Sequence, residues 1–155
     1  MQKITTFLWF DSQAEEAAKH YVSIFKNGKI LNVYRANGSV LTVTFELEGQ
    51  QFIALNGGPL FKFTEAISLF VDCDGQAEVD ELWDKLCAGG EPSRCGWLKD
   101  KYGLSWQIIP KTLMRLMGDP DAAKSQAVMQ AMMKMNKIVI ADLQKAYDLD
   151  RKSVV

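Results

Sequence analysis

The side chains that most often carry chemistry are sparse in this sequence. His20 is its single histidine, and Cys73, Cys87 and Cys95 form no C-x-x-C pair. Structural zinc needs several nitrogen or sulfur donors in close spacing, so there is no His/Cys metal signature here. A Cys–His nucleophile pair would have to recruit His20, which sits off the apolar stripe of its helix and reads as a solvated residue. No G-x-S-x-G elbow occurs. Cys95 follows Arg94 and precedes Lys99, cations of the kind that activate a thiol, but a small strand residue is the plainer reading. Gly57-Gly58-Pro59 reads as a turn, because no helical pattern starts there, and neither G-x-G-x-x-G nor G-x-x-x-x-G-K-[ST] is present to cradle a dinucleotide or nucleotide. What remains is uncharged. In the strand-like run Ser105–Ile109, period two puts Ser105, Gln107 and Ile109 on one face, away from Trp106 and Ile108. If that face lines a cleft, Gln107 is a hydrogen-bonding group in an apolar pocket, the usual make-up of a small-molecule site; if it meets solvent, Gln107 carries no meaning.

Two helices of the same grammar position these strands. Ala14, Ala17, Ala18, Tyr21, Val22 and Phe25 form one apolar stripe at helical spacing. Ser12 and Glu15 read as a capping box at its start, and Asn27-Gly28 ends it. Val79, Leu82, Trp83 and Leu86 form the second stripe, on a helix that begins near Asp74 and stops at Gly89-Gly90. Each helix follows a short apolar run closing in aspartate, Phe7–Asp11 and Ile67–Asp72, and a shift of 61 residues, the separation of Asp11 and Asp72, superposes the aspartates and much of both stripes. That is an internal repeat, with a one-residue uncertainty of register in the strands. After the first helix, Lys29–Tyr34, Val40–Leu47 and Gln51–Leu55 read as strands separated at Asn37-Gly38 and Glu48-Gly49. After the second come Glu91–Arg94, Gly96–Lys99 and Ser105–Ile109, the last two joined across Tyr102-Gly103. The pattern is βαβββ twice. FLWF and FIAL are continuously apolar, which implies that both sheet faces are covered: one by a helix, the other by a cleft, the opposite half or a partner chain. From Pro110 onward the pattern is helical, with a start at Asp119-Pro120 and a last helix from near Ile140. Six of the seven methionines lie at or beyond Met114, a stripe that reads as core or dimer packing rather than as an adaptable binding surface.

The bulk properties set the outer limits. With 155 residues, the chain has the length of one domain or of two fused half-modules, and a chain of that size buries roughly 68–70% of its unfolded surface without needing staples. Its 48% hydrophobic and 24% charged residues exclude a disordered or fibrous class. Lys+Arg number 18 against 19 Asp+Glu, with no basic run, which argues against a nucleic-acid partner because phosphate contacts supply most of that affinity. No apolar stretch is long enough to cross a membrane, the amino terminus has no apolar signal core, and the odd, unpaired cysteines suit a reducing compartment. The expected location is cytoplasmic.

With these residues on the page, the doubled βαβββ pattern, closed by Asp100-x-x-Gly103-x-x-Trp106, resembles the vicinal oxygen chelate superfamily of glyoxalase I, the bleomycin-resistance and fosfomycin-resistance proteins and the extradiol dioxygenases. More narrowly, FLWFDSQAEEAAKHYVSIF (Phe7–Phe25), ALNGGPLFKFTEAISL (Ala54–Leu69), CGWLKDKYGLSWQIIP (Cys95–Pro110) and the terminal KIVIADLQKAY (Lys137–Tyr147) look like the PhnB-like family often labelled 3-demethylubiquinone-9 3-methyltransferase. The resemblance implies an α+β fold: two βαβββ modules, residues 3–58 and 64–110, forming a cupped mixed sheet around a cleft, followed by a helical segment at 111–149, all within one domain spanning residues 1–150. It also implies a homodimer, with elements exchanged between chains in some relatives. Metal-dependent relatives take ligands from positions that fall here on Ile4 (or Thr5), Ala66 and Gln107. Of Ile4, Ala66 and Gln107 only Gln107 has a donor, and even a slip that brings in Glu65 leaves a poor cation site, so no metal and no cofactor are expected. The methyltransferase label finds no support in a glycine-rich loop after the first strand or in a parallel sheet. The expected function is binding of a small organic molecule, partly aromatic or apolar, by Leu8, Asn56, Phe70, Ser105 and Gln107, with Trp97 at the rim. The alternatives left open are a metal-assisted lyase, isomerase or dioxygenase around Glu65 and Gln107, and methyl transfer.

Overall fold

In the computed structural model, which describes residues 2–153, the chain divides between Phe63 and Thr64 into two units, each laid out as β-α-β-β-β. The first unit runs β1 (Thr6–Phe10), α1 (Ala14–Ile24), β2 (Lys29–Ala36), β3 (Ser39–Leu47) and β4 (Gln50–Asn56). Its sheet has the order β1-β4-β3-β2, with β1 parallel to β4 and the other pairs antiparallel. The two hairpins close at Asn37-Gly38 and Glu48-Gly49, where all four residues have positive φ, the backbone twist that matches two-residue β-turns to the twist of their strands.

Alternation along these strands sorts the side chains. Leu8, Ala54 and Val43 stand side by side across β1, β4 and β3, all at 2% exposure or less, with Phe10, Phe52 and Phe45 on the same side. The helix lays Ala14, Ala17, Ala18, Tyr21 and Ile24 against them, and Tyr21 stacks on Phe45 at 6.1 Å between ring centroids. Three alanines bring its backbone close to the sheet. The start of α1 differs from the capping box expected at Ser12 and Glu15: Gln13 stands at the N-cap, and the Ala14 N–H donates instead to Asn56 Oδ1 at 2.8 Å. Parallel pairing sets the end of β4 beside the end of β1, so a distant asparagine satisfies the donor first.

The second unit repeats the layout with β5 (Ser68–Cys73), α2 (Gln76–Cys87), β6 (Glu91–Pro92), β7 (Trp97–Lys99) and β8 (Ser105–Pro110), in the order β5-β8-β7-β6. Leu98, Trp106, Ile108 and Cys73 are buried on one side, together with Val79, Leu82, Trp83 and Leu86 of α2. The chain continues into α3 (Lys111–Met117), α4 (Ala122–Met133) and α5 (Ile140–Ser153). Their core is Leu113, Leu116, Val128, Ile138 and Leu143 around Ile109 of β8, with Met117, Met132 and Met135 packed against it. The methionine stripe is thus divided, since Met114, Met129 and Met133 are exposed. The start of α4 falls two residues beyond Asp119-Pro120: Asp121 is its N-cap, accepting from the N–H groups of Ala123 and Lys124. Asp119 is engaged elsewhere, accepting the Tyr147 hydroxyl at 2.7 Å and the Asp121 N–H at 2.8 Å. Among the described residues no helix is long and apolar enough to cross a membrane.

Candidate functional site

Strand β8 lies between β5 and β7, and its lead-in is fixed by one carboxylate. Asp100, 2% exposed, accepts the Tyr102 and Leu104 N–H groups on Oδ1 at 2.9 and 3.0 Å and the Trp106 indole N–H on Oδ2 at 2.9 Å. Gly103, at φ +86°, makes the turn that brings these donors round. The motif Asp100-x-x-Gly103-x-x-Trp106 is therefore a turn lock: it seats Trp106 on the helix side and so turns Ser105 and Gln107 to the opposite face.

On that face the register forms two rows. Phe70 of β5, Gln107 of β8 and Trp97 of β7 stand directly beside one another, and so do Ser68, Ser105 and Lys99. Phe70 is half exposed, and Gln107 and Trp97 are partly buried. Neighbouring strands lie about 4.8 Å apart, so Phe70 and Trp97 flank Gln107 with a gap of roughly 9.6 Å between their backbone positions. The Gln107 amide donates to Ser68 Oγ at 2.9 Å, which ties the two rows together and leaves its carbonyl oxygen available.

The second row carries the charge. Lys99 Nζ meets Glu65 Oε1 at 3.0 Å, with the Glu65 side chain 63% exposed, and the lysine's hydrogen bond holds the Glu65 carboxyl below its usual range. Ser105, between Ser68 and Lys99 in the register, is 1% exposed, and its hydroxyl has no hydrogen-bond partner among the described residues. A buried polar group without a partner is uncommon enough to demand a reason.

Four of the six residues expected at a ligand site, Phe70, Trp97, Ser105 and Gln107, thus share one sheet face. The other two do not belong to such a face. Leu8, 2% exposed, is core on the helix side of the first sheet, and Asn56 is spent on the fold, its Nδ2 donating to the Val40 carbonyl at 3.1 Å while Oδ1 caps α1. The reason is parity. The 61-residue shift that superposes the helices sets Trp9, not Leu8, over Phe70. Trp9 and Phe7 are the residues of β1 on the side away from α1, where Trp9 donates to the Gly58 carbonyl at 2.9 Å and meets Phe61 edge to face at 4.9 Å. Gly57 follows closely enough that a Cβ there would run into the indole, so Gly57-Gly58-Pro59 is a turn folded on Trp9. Lys99 and Ser68 join this face beyond the residues expected there, and the sequence signal for them is their alternation with Trp97 and Phe70.

The residues aligned with metal ligands do not suit a cation. Ile4 and Ala66 have no donor, Gln107 is bonded to Ser68, and Glu65 is paired with Lys99. Among the described residues no three of His, Cys, Asp or Glu gather in a metal-holding group. The cysteines are not placed for nucleophilic work either. Burial pushes the Cys73 thiol up to about 12 and that of Cys87 to about 11, and Cys95 serves a turn, at φ +61° with its N–H on the Met135 carbonyl. His20 is partly buried beside Tyr21, ring centroids 5.8 Å apart, rather than fully solvated.

Comparison with known proteins gives one family. Residues 2–109 match the family model described as 3-demethylubiquinone-9 3-methyltransferase. The chain is similar to the PhnB protein from Bacillus cereus, whose solved structure is 38% identical at a TM-score of 0.66, covering 70% of this chain and 99% of that one. A protein of known structure from Pseudomonas aeruginosa shares the fold at 17% identity and a TM-score of 0.61, covering 71% of this chain and 98% of its own. No curated protein matches.

Proposed function

The chain belongs to the family described as 3-demethylubiquinone-9 3-methyltransferase, and from the site it builds we propose that it binds a small planar organic molecule between Phe70 and Trp97, hydrogen-bonded to Gln107. The observation that carries this reading is the row itself: two aromatic walls and a carboxamide floor on three adjacent strands. A ring seated midway in the gap of roughly 9.6 Å lies about 4.8 Å from each wall, inside the 4.5–7 Å range in which aromatic centroids attract. The amide then supplies direction, which apolar walls alone do not.

Binding without chemistry fits the donor set better than the activity in the family's description does. Methyl transfer from S-adenosylmethionine is usually built on a parallel sheet with a glycine-rich loop after the first strand. Here each sheet has one parallel and two antiparallel pairings, and β1 leads into Asp11-Ser12-Gln13. The binding form is a cytoplasmic homodimer, and the exposed Phe7, Leu31, Tyr34 and Phe61 supply apolar surface for a second copy. The test is a titration with 4-hydroxybenzamide, a flat neutral probe, followed by the ¹⁵N–¹H signals of the Trp97 indole and the Gln107 side-chain amide. Saturable shifts at both, lost in Phe70→Ala, are expected. Unmoved signals at both positions would count against the site.

A further inference from the structure

Resting on that reading, we infer that the ligand is an organic carboxylate whose anionic end docks on Lys99 and Ser105 after displacing the side chain of Glu65. Three independent features of the second row point there. Ser105 offers a hydroxyl that is 1% exposed and makes no hydrogen bond among the described residues. It stands directly opposite Lys99 in the β7–β8 register, where facing side chains start about 4.5–5.5 Å apart, so one oxygen pair can reach both donors. The third feature is Glu65, which already holds a carboxylate against Lys99 Nζ at 3.0 Å from the segment ahead of β5.

Glu65 is a stand-in rather than a fixture. Its side chain is 63% exposed and that of Lys99 38%, and solvent-exposed pairs of this kind are weak and readily exchanged. A ligand carboxylate gains what Glu65 lacks, the buried Ser105 hydroxyl, and a charge-assisted bond to a donor already stripped of water is the stronger kind. The spacing then sets the size of the ligand. Ser105 and Gln107 are two residues apart on β8, about 6.8 Å along the strand. A carboxylate at the second row and a hydrogen-bonding substituent at the first therefore span one aromatic ring, which stands between Phe70 and Trp97. The chemical class is a ring carboxylic acid with a polar group on the far side of the ring.

The experiment compares 4-hydroxybenzoate with 4-hydroxybenzamide, which have the same shape and differ in charge, by titration of the wild type, Glu65→Gln, Lys99→Met and Ser105→Ala. The wild type is expected to bind the acid at least fivefold more tightly than the amide. Glu65→Gln widens that ratio, because the internal competitor is gone, while Lys99→Met brings it to about one and Ser105→Ala lowers it. If both probes shift the Trp97 indole with equal affinity in the wild type and in Glu65→Gln, the carboxylate assignment is wrong while the planar-ligand reading stands. If Glu65→Gln weakens acid binding, Glu65 is part of the site and the displacement is wrong. If neither probe moves Trp97 or Gln107, the reading beneath the inference falls with it. Glu65→Gln changes an exposed side chain, so the test does not depend on Lys99→Met folding.

Discussion

Ser105→Ala isolates a group that the fold does not use. The hydroxyl is 1% exposed with no hydrogen-bond partner among the described residues, so folding strips its water and returns nothing. An unsatisfied buried polar group costs about 1–3 kcal/mol. Removing one oxygen leaves a void near the size of a single water, roughly 15 Å³, worth about 0.4 kcal/mol at 24 cal/mol per Å³. The net expectation is a gain of about 1 kcal/mol, or 2–4 °C in melting temperature for a chain of this length. Urea unfolding followed by far-ultraviolet circular dichroism, with the slope unchanged, reads the gain directly. The same variant should bind 4-hydroxybenzoate roughly 10- to 100-fold more weakly, the worth of one hydrogen bond to a charged group at about 1.5–3 kcal/mol. Stability rising while binding falls is the signature of a residue kept for a ligand. A loss of about 1 kcal/mol or more would mean that the hydroxyl has a partner in the free protein, and the reasoning would be refuted.

Three further expectations concern the scaffold. Asp100→Ala removes the acceptor that two backbone N–H groups and the Trp106 indole N–H share, so it should cost about 3–5 kcal/mol in denaturant unfolding, whereas Asp100→Asn, which keeps one acceptor oxygen, should cost less. Asn56→Ala removes the distant cap of α1 and should lower stability by about 1 kcal/mol, with Ser12→Ala near neutral by the same measurement. The Tyr147 hydroxyl holds the Asp119 carboxyl below its usual 3.8, so this contribution is present above that value and is lost as pH falls through the depressed one. Tyr147→Phe should accordingly be less stable than the wild type near neutral pH, with the difference closing as both carboxyls protonate in acid, as melting curves across pH would show.

The repeat, the hairpins and the strand order of types were legible because they rest on local physics. Asn37-Gly38 and Glu48-Gly49 admit positive φ, and alternation in Ser105–Ile109 turned Gln107 to the right face. Long-range chemistry was not. The cap on α1 comes from Asn56, 42 residues away, and no local pattern reports it. Leu8 lies 62 residues before Phe70, and an even shift in place of the odd 61 exchanges the two sheet faces, so the one-residue uncertainty of register decides which side of β1 faces away from the helix. The helices' own shift of 61 sets Trp9 over Phe70. Lys99 and Glu65 sit 34 residues apart, and their pairing needs the register that lays β7 along β8. Asp100 was visible as part of a motif, but a motif does not say whether its carboxylate meets a ligand or, as here, three hydrogen-bond donors of its own turn.

The most direct test of the central claim is a crystal structure of the protein grown with 4-hydroxybenzoate. The account predicts one ring between Phe70 and Trp97, its hydroxyl at the Gln107 amide and its carboxylate on Lys99 Nζ and Ser105 Oγ, with Glu65 swung into solvent. A face closed by the protein's own side chains or by a second copy, with the probe absent or bound elsewhere, would contradict it.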